Sequence, residues 1–184
     1  MVIRFALAKG RVAKKAIELL IELGYIFEDY SEKSRKLIFT DTTGTIEFFL
    51  VKSPDVPIYV EKGAADIGIV GKDVLLEHPA QVYEMLNLNI GRCKMCVAGF
   101  KDRPIPYGKK LVVGTKYPVI AKNYFHTKGQ LVDIIKINGS VELAPLIGLS
   151  DCIVDIVESG NTLKENGLTV LEEICDISSR LIVN

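Results

Sequence analysis

Apolar positions in the first part of the chain alternate between strand and helix patterns. Residues 2–8 form an apolar run typical of a buried strand. The segment after them places apolar residues at helical spacing, which predicts an amphipathic helix that ends at Gly24. Two further strand-like runs, 36–40 and 45–51, are separated by the polar turn residues 41–44 and predict a β-hairpin.

The alternation continues to the end of the chain. Ser53-Pro54-Asp55 combines a capping side chain, a proline suited to a first helical turn and an acid, so a short helix is predicted there. Further strands are predicted at 65–70, 93–100, 111–114, 131–137, 151–157, 168–174 and 178–183, and further helices at 74–77, 118–126, 142–148 and 160–166. Strands that alternate with short helices predict an α/β fold with mostly parallel sheets covered on both faces. In such sheets ligands bind at the carboxyl ends of the strands.

No long linker interrupts the chain, which favours two compact lobes that share crossing strands. The predicted boundary lies near residues 88–92. The first lobe is expected to comprise residues 1–90 and 170–184, and the second residues 91–169.

The 184 residues, with 48% apolar and 25% charged side chains, fall in the ordinary globular class. Lys plus Arg and Asp plus Glu both number 23, so no net charge is available to recruit nucleic acid or an anionic membrane. Charges at Arg4 and Lys9 interrupt the first apolar run, which is too short for a signal peptide or a membrane span. We therefore expect a cytoplasmic protein whose partners are small molecules or proteins.

Cys93 and Cys96 form a single C-x-x-C pair within an apolar run. A structural zinc site is not favoured, because there is no second such pair and the chain has only two histidines. Reduced, half-buried thiols on a strand are the simpler interpretation.

The segment 151–163 is the strongest candidate for chemistry, because an apolar strand runs into a turn rich in Gly and hydroxyl side chains. Backbone N–H groups with the hydroxyls of Ser159 and Thr162 would suit a phosphate. Asp155 and Glu158 could accept hydrogen bonds from two ribose hydroxyls or hold a divalent cation. Simple helix capping with a solvent-facing acid is the alternative, but a carboxylate among Ile and Val is costly if buried.

The second candidate is Lys9-Gly10-Arg11, where two cations flank a glycine at the start of a helix. Cations at this end oppose the helix dipole, a local conflict that is explained if they neutralise a bound polyphosphate. Solvated surface side chains remain the alternative.

Residues 64–73 superficially suggest a nucleotide loop. They are not a Walker motif, because Asp66 and Asp73 occupy the positions that need Gly and Ser or Thr. Gly68 and Gly71 suit either a flat ligand or tight packing of a strand on a helix, and packing is the simpler interpretation.

Several separated motifs together make the chain resemble the ATP phosphoribosyltransferase family. The matching segments are Leu7–Arg11, Asp55–Glu61, Gly63–Asp73, Thr115–Pro118, Gly139–Pro145 and Gly148–Leu168. They cover almost the whole chain, and agreement at so many places is not expected by chance.

The resemblance implies a two-lobed fold of the periplasmic-binding-protein type with the active site in the cleft between the lobes. It also implies a glycosyltransferase reaction, in which N1 of ATP attacks C1 of phosphoribosyl pyrophosphate and magnesium-bound pyrophosphate leaves, as the first step of histidine biosynthesis. This chemistry needs positioning and charge neutralisation more than a nucleophilic side chain.

By resemblance, phosphoribosyl pyrophosphate is expected to contact Asp155, Glu158, Ser159, Gly160, Asn161 and Thr162. ATP or pyrophosphate is expected to contact Lys9, Arg11, Arg35, Lys52, Asp66, Gly68 and Glu142. The predicted catalytic residues are Lys9, Arg11 and Asp155. No metal ligand is assigned, because Mg²⁺ is expected to arrive with the substrate.

Two positions depart from the family pattern: Ala8 replaces a frequent Pro, and Lys52 stands where Arg is usual. Lys supplies charge without the bidentate fork of Arg, so the contact at position 52 is expected to be monodentate. The chain ends soon after its last predicted strand, as in the short form of the family. The resemblance then implies a regulatory subunit related to histidyl-tRNA synthetase, and a homodimer or a larger hetero-oligomer.

Two other functions stay open on the residues alone. A phosphoribosyltransferase with a different acceptor would use the same phosphate turn. A non-catalytic small-molecule binding module could have the same fold, since a fold does not determine a function.

Overall fold

The computed structural model describes residues 2–31, 33–103, 105 and 108–184. The chain divides into two compact units. The first contains the residues up to Gly91 together with Ser178–Asn184, and the second is Arg92–Ile177. No helix in the described part of the chain is long and apolar enough to span a membrane.

The strands are β1 (Ile3–Ala8), β2 (Ile38–Thr40), β3 (Ile46–Val51), β4 (Ile67–Gly71), β5 (Tyr83–Asn87), β6 (Cys93–Gly99), β7 (Leu111–Thr115), β8 (Val132–Lys136), β9 (Cys152–Val157), β10 (Thr169–Ile177) and β11 (Ser179–Val183). The α-helices are α1 (Arg11–Glu22), α2 (Val56–Glu61), α3 (Lys72–Glu77), α4 (Pro118–Thr127), α5 (Leu143–Leu146) and α6 (Asn161–Glu165), and a short 3-10 helix spans Ser53–Asp55.

The first unit is built on a six-stranded sheet in the order β2-β3-β1-β4-β11-β5. Strands β3, β1 and β4 are parallel, and the outer pairings are antiparallel. Helix α1 buries Ala13, Ala16, Ile17 and Leu20 against this sheet, because their spacing places them on one helical face. The parallel centre brings the carboxyl ends of β1, β3 and β4 to one edge.

The second unit is built on a five-stranded sheet in the order β10-β6-β9-β7-β8. Strands β9, β7 and β8 are parallel, whereas β6 runs antiparallel to β9 and β10. Met95, Val97, Val113 and Val154 form the centre of its core together with Phe125 of α4. The carboxyl ends of β7 and β9 therefore lie side by side.

The predicted α/β class is confirmed, and each predicted helix and strand has a counterpart. Both sheets are mixed rather than parallel throughout: the parallel strands lie at the centre of the first sheet and on one side of the second, where β8 is an edge strand. Strand β5 was not predicted. Residues 170–177 lie in the second unit rather than with the first, because β10 pairs along its length with β6; of the C-terminal segment only β11 joins the first sheet.

Candidate active site

Strand β9 brings Asp155 from the core to the edge of the second unit. Residues 152–154 are buried, whereas Asp155 is half-buried. Beyond the strand, Gly160 has φ 76° and ψ 0°, the left-handed conformation that a side chain disfavours, and it directly precedes α6. The chain thus turns sharply just after the acid, and α6 begins at once with the N–H of Asn161, which donates to Ser159 Oγ over 3.4 Å.

A pocket of about 210 Å³ lies at this turn. Its polar lining comes from residues singled out in the sequence: Glu142, Asp155, Glu158, Ser159, Gly160 and Thr162. Asn161 is the first residue of α6 and does not line the pocket. Acids, hydroxyls and turn N–H groups therefore meet in a single small cavity, which can accept both the hydroxyls and the phosphate of a phosphorylated sugar.

Opposing interactions determine the acidity of Asp155. Burial raises the pKa of its carboxyl group above the ordinary value, and the negative charge of Glu142 raises it further. The N–H of Ile156, which donates to Asp155 Oδ1 over 2.8 Å, and the positive charge of Lys116 both lower the pKa, but the net direction is upward. Donors such as ribose hydroxyls would stabilise the charged form, so the site is suited to a ligand that supplies them.

The first unit carries a larger pocket of about 720 Å³ at the carboxyl end of β1. Five cationic side chains line it: Lys9, Arg11, Lys14, Arg35 and Lys36. The start of α1 opens onto it, with Gly10 at φ 101° and no acid in the first turn. Unscreened helix N–H groups beside several cations favour a polyanion.

Lys52 follows β3 just as Lys9 follows β1. The backbone N–H of Lys9 donates to the carbonyl of Val51 over 2.9 Å, so the two lysines leave neighbouring parallel strands at one edge. Lys52 is exposed and is not part of the pocket lining. The structure therefore brings Lys9, Arg11 and Arg35 together in a pocket and places Lys52 at the adjacent strand end.

Asp66 and Gly68 lie elsewhere, and the structure accounts for both without a ligand. Asp66 precedes β4, at the opposite end from its carboxyl edge, and its Oδ2 accepts the backbone N–H of Arg4 over 2.8 Å. Gly68 is buried, and a Cβ there would lie 2.8–2.9 Å from Val60, Val56 and Ile182. Both residues therefore have a structural role, and their expected contacts with ATP or pyrophosphate stay predictions.

Sequence reasoning missed several residues of the first pocket, namely Lys14, Tyr30, Ser31, Ser34 and Lys36. A usable signal was present, because Lys33, Arg35 and Lys36 crowd three cations into four positions just before β2. Tyr30 carried no such signal, since its place in the pocket depends on the edge-to-face packing of its ring on Phe39 at 5.2 Å.

Among the described residues, no group of three or more His, Cys, Asp or Glu side chains is arranged to hold a metal ion. Asp155, Glu142 and Glu158 nevertheless line one pocket. Mg²⁺ commonly keeps its waters and binds through one or two carboxylates and the phosphates of a substrate, so these residues fit an ion that arrives with its ligand.

The chain resembles known proteins over its whole length. The family model for ATP phosphoribosyltransferase matches residues 52–184. ATP phosphoribosyltransferase from Lachnoclostridium phytofermentans is 56% identical, and the alignment covers 99% of this chain and 86% of the relative. The enzyme of the same name from Oceanobacillus iheyensis is 54% identical, with 99% and 88% covered.

Solved structures give the same picture. The ATP phosphoribosyl transferase (HisG:HisZ) complex from Thermotoga maritima matches with a TM-score of 0.86 and 40% identity, covering 100% of this chain and 88% of that chain. Tv2483 bound to L-arginine matches with a TM-score of 0.59 and 13% identity, a likeness of fold alone. By sequence and by structure, the chain belongs to the ATP phosphoribosyltransferase family.

Proposed function

We propose that this chain transfers the phosphoribosyl group of phosphoribosyl pyrophosphate to N1 of ATP and releases pyrophosphate, the first step of histidine biosynthesis. The observation that carries the proposal is the meeting of Asp155 with the 158–162 turn in one pocket of a chain from this family. The lone pair of N1 would form the new bond to C1 while the bond from C1 to the pyrophosphate oxygen breaks.

In this proposal the second unit binds phosphoribosyl pyrophosphate. The Asp155 carboxylate would accept hydrogen bonds from the ribose hydroxyls. Ser159, Thr162 and the turn N–H groups would hold the 5′-phosphate, to which Gly160 allows close backbone approach. Because positive charge develops at C1 in the transition state, a fixed carboxylate beside the ribose also favours that state.

The cations of the first unit would neutralise the polyphosphate of ATP or the departing pyrophosphate. Lys9, Arg11 and Arg35 line the pocket at the start of α1, and Lys52 follows the adjacent strand. Stabilising a leaving polyanion in this way requires preorganised charge and no covalent intermediate.

Magnesium is the cofactor in this proposal. When bound, it would neutralise charge on the pyrophosphate group and make it a better leaving group. Asp155, Glu142 and Glu158 are the carboxylates of the second-unit pocket that could hold the ion or its waters.

We further propose that the chain works with a regulatory subunit. The similar Thermotoga maritima structure is a HisG:HisZ complex, which supports a partner of that kind and a hetero-oligomer. Co-purification from the source cell, or activation on mixing, would test this. The cytoplasmic location remains a prediction that cell fractionation can check.

Mass-spectrometric detection of phosphoribosyl-ATP tests the reaction directly. Purified chain is incubated with ATP, phosphoribosyl pyrophosphate, Mg²⁺ and pyrophosphatase, alone and with the candidate partner, and Asp155→Ala serves as the inactive control. We expect product in at least one wild-type reaction. If phosphoribosyl pyrophosphate binds but no product forms with the partner present, a different acceptor base is indicated. If it does not bind, a non-catalytic binding module is indicated.

A further inference from the structure

Thr115, the last residue of β7, has a fully buried side chain whose hydroxyl makes two hydrogen bonds. Its Oγ1 donates to the carbonyl oxygen of Val154 on β9 over 2.6 Å. The same oxygen accepts the backbone N–H of Tyr117 over 2.8 Å. One hydroxyl therefore joins two neighbouring strands to the start of helix α4.

The sheet needs a side chain at this point because β7 ends there. Thr115 lies opposite Val154 in the parallel pair, and its own carbonyl accepts the N–H of Ile137 on the other side. After Thr115 the backbone turns away, and α4 begins at Pro118. The hydrogen bond from the Thr115 hydroxyl to Val154 thus connects β7 to β9 at the point where the β7 backbone leaves the sheet. Valine would fill the same space but could make neither bond.

The Thr115 hydroxyl bonds to residues that are next to two charged side chains, Asp155 and Lys116. Val154 directly precedes Asp155, and Lys116 lies between Thr115 and Tyr117. The Lys116 ammonium lies 5.9 Å from the centroid of the Tyr117 ring. It is also close enough to Asp155 to lower the pKa of that carboxyl, against the larger effect of burial.

We propose that Thr115 is a positioning residue for the phosphoribosyl pyrophosphate site, holding Asp155 and Lys116 in fixed relation at the ends of β9 and β7. The inference rests on the proposed function. A residue that only caps α4 would need the bond to Tyr117 alone. The bond across to β9 reaches the strand that carries the ribose-binding acid, so its loss should loosen the acid itself.

Thr127 offers a matched control in the same unit. Its hydroxyl donates to the carbonyl of Tyr124 over 2.7 Å, a local bond at the exposed end of α4. Thr127→Val therefore makes the same substitution and removes a threonine hydroxyl bonded to a backbone carbonyl, without touching β9. Thr115→Ser keeps the hydroxyl and loses only a methyl group.

The experiment compares Thr115→Val, Thr115→Ser and Thr127→Val with wild type. It measures thermal unfolding, the KM for each substrate, and the Kd for phosphoribosyl pyrophosphate by equilibrium dialysis with Mg²⁺. Thr115→Val should raise the KM and Kd for phosphoribosyl pyrophosphate about tenfold, as expected when a reacting group is displaced, and change the KM for ATP less than about twofold. Thr115→Ser should restore most of the loss, and Thr127→Val should match wild type.

Three results would overturn the inference. The first is a folded Thr115→Val with wild-type affinity for phosphoribosyl pyrophosphate. The second is an equal loss in the Val and Ser variants, and the third is an equal effect on both substrates, because either of these two patterns indicates a general structural role. If Thr115→Val does not fold, Thr115→Cys, which keeps only a weak S–H donor and lacks the γ-methyl group, replaces it in the same comparison.

The activity of the wild-type chain distinguishes a failure of the proposed function from a failure of the proposed role of Thr115. A wild-type chain that neither turns over nor binds phosphoribosyl pyrophosphate contradicts the proposed function, and the role of Thr115 with it. Active wild type with an unaffected Thr115→Val contradicts only the role of Thr115.

Discussion

At the scale of single residues, the surroundings of Asp155 disfavour the charged form of its carboxyl group. Burial and the neighbouring Glu142 raise its pKa, and the N–H of Ile156 and Lys116 only partly oppose them. When the folded-state pKa of an acid is raised, its favourable contribution to stability is complete below the unfolded pKa and is lost as pH rises through the folded pKa. Ionisation of Asp155 therefore lowers the stability of the free protein, a conflict typical of functional sites.

Replacing Asp155 with Asn should separate stability from activity. Asp155→Asn removes the disfavoured charge, so its Tm at pH 7 should exceed that of wild type. The difference should disappear near pH 3, where wild type is also protonated. Activity should fall on the order of a hundredfold, as expected for the loss of charged hydrogen bonds to substrate. Calorimetry and the product assay measure the two effects, with exposed Asp102→Asn as control. An active or less stable variant would contradict the assignment.

Gly68 gives a residue-scale test of packing against ligand binding. A methyl group there would lie 2.8–2.9 Å from Val60, Val56 and Ile182. Gly68→Ala should therefore lower the free energy of unfolding by about 1–3 kcal/mol, the usual effect of overpacking a core. Urea unfolding measures it, and Gly139→Ala, where a Cβ meets nothing within 4 Å, is the matched control. Wild-type stability with a raised KM for ATP would instead indicate a ligand contact at Gly68.

At the scale of elements, the β2–β3 hairpin depends on one buried acid. Asp41 accepts hydrogen bonds from the N–H groups of Thr43, Thr45 and Ile46 and from the Thr43 hydroxyl. Burial alone would raise the pKa of Asp41, but these four donors outweigh it and lower the pKa to about 2. The polar turn recognised in the sequence is thus held by its first side chain.

The hairpin should therefore weaken in acid. A depressed pKa contributes stability that is present above the unfolded value of about 3.9 and is lost as pH falls through about 2. Asp41→Asn should unfold at lower urea concentration than wild type at pH 7, and the gap should narrow between pH 4 and pH 2. Circular dichroism in urea at several pH values measures it. A gap independent of pH would mean that the Asp41 charge contributes nothing.

The helices and strands that were predicted from the sequence have a clear pattern of apolar residues, whereas strand β5, which was missed, has none. Strand β1 is an apolar run, and α1 has apolar residues at helical spacing, so both were evident. All five residues of β5 are exposed at the edge of the sheet. Its position depends on pairing with β11, which follows almost a hundred residues later. Such a partner cannot be inferred from local alternation.

At the scale of the whole molecule, a formal net charge of zero conceals a strongly cationic pocket. The sequence predicted Lys9 and Arg11 as an anion site, because cations beside a helix start conflict with the local dipole, and the family resemblance added Arg35. The strand predicted at 65–70 already places Asp66 at its start, and the contact of Asp66 with ATP or pyrophosphate stays a prediction. Residues on a turn recognisable by its chemistry were predictable, whereas Tyr30 joins the first pocket only through packing that the sequence does not show.

Because the positive charge is concentrated in the pocket at the start of α1, the KM for ATP should depend on salt through the residues of that pocket. Raising KCl from 0.05 to 0.5 M shortens the Debye length below about 10 Å, so the KM for ATP should rise several-fold although the protein has no net charge. Lys9→Gln should raise the KM at low salt and flatten the salt dependence. Lys62→Gln, an exposed lysine of the same unit outside the pocket, should keep the wild-type slope. Steady-state kinetics at constant free Mg²⁺ measure all three proteins. Equal slopes for Lys9→Gln and Lys62→Gln would mean that ATP does not use the pocket at the start of α1.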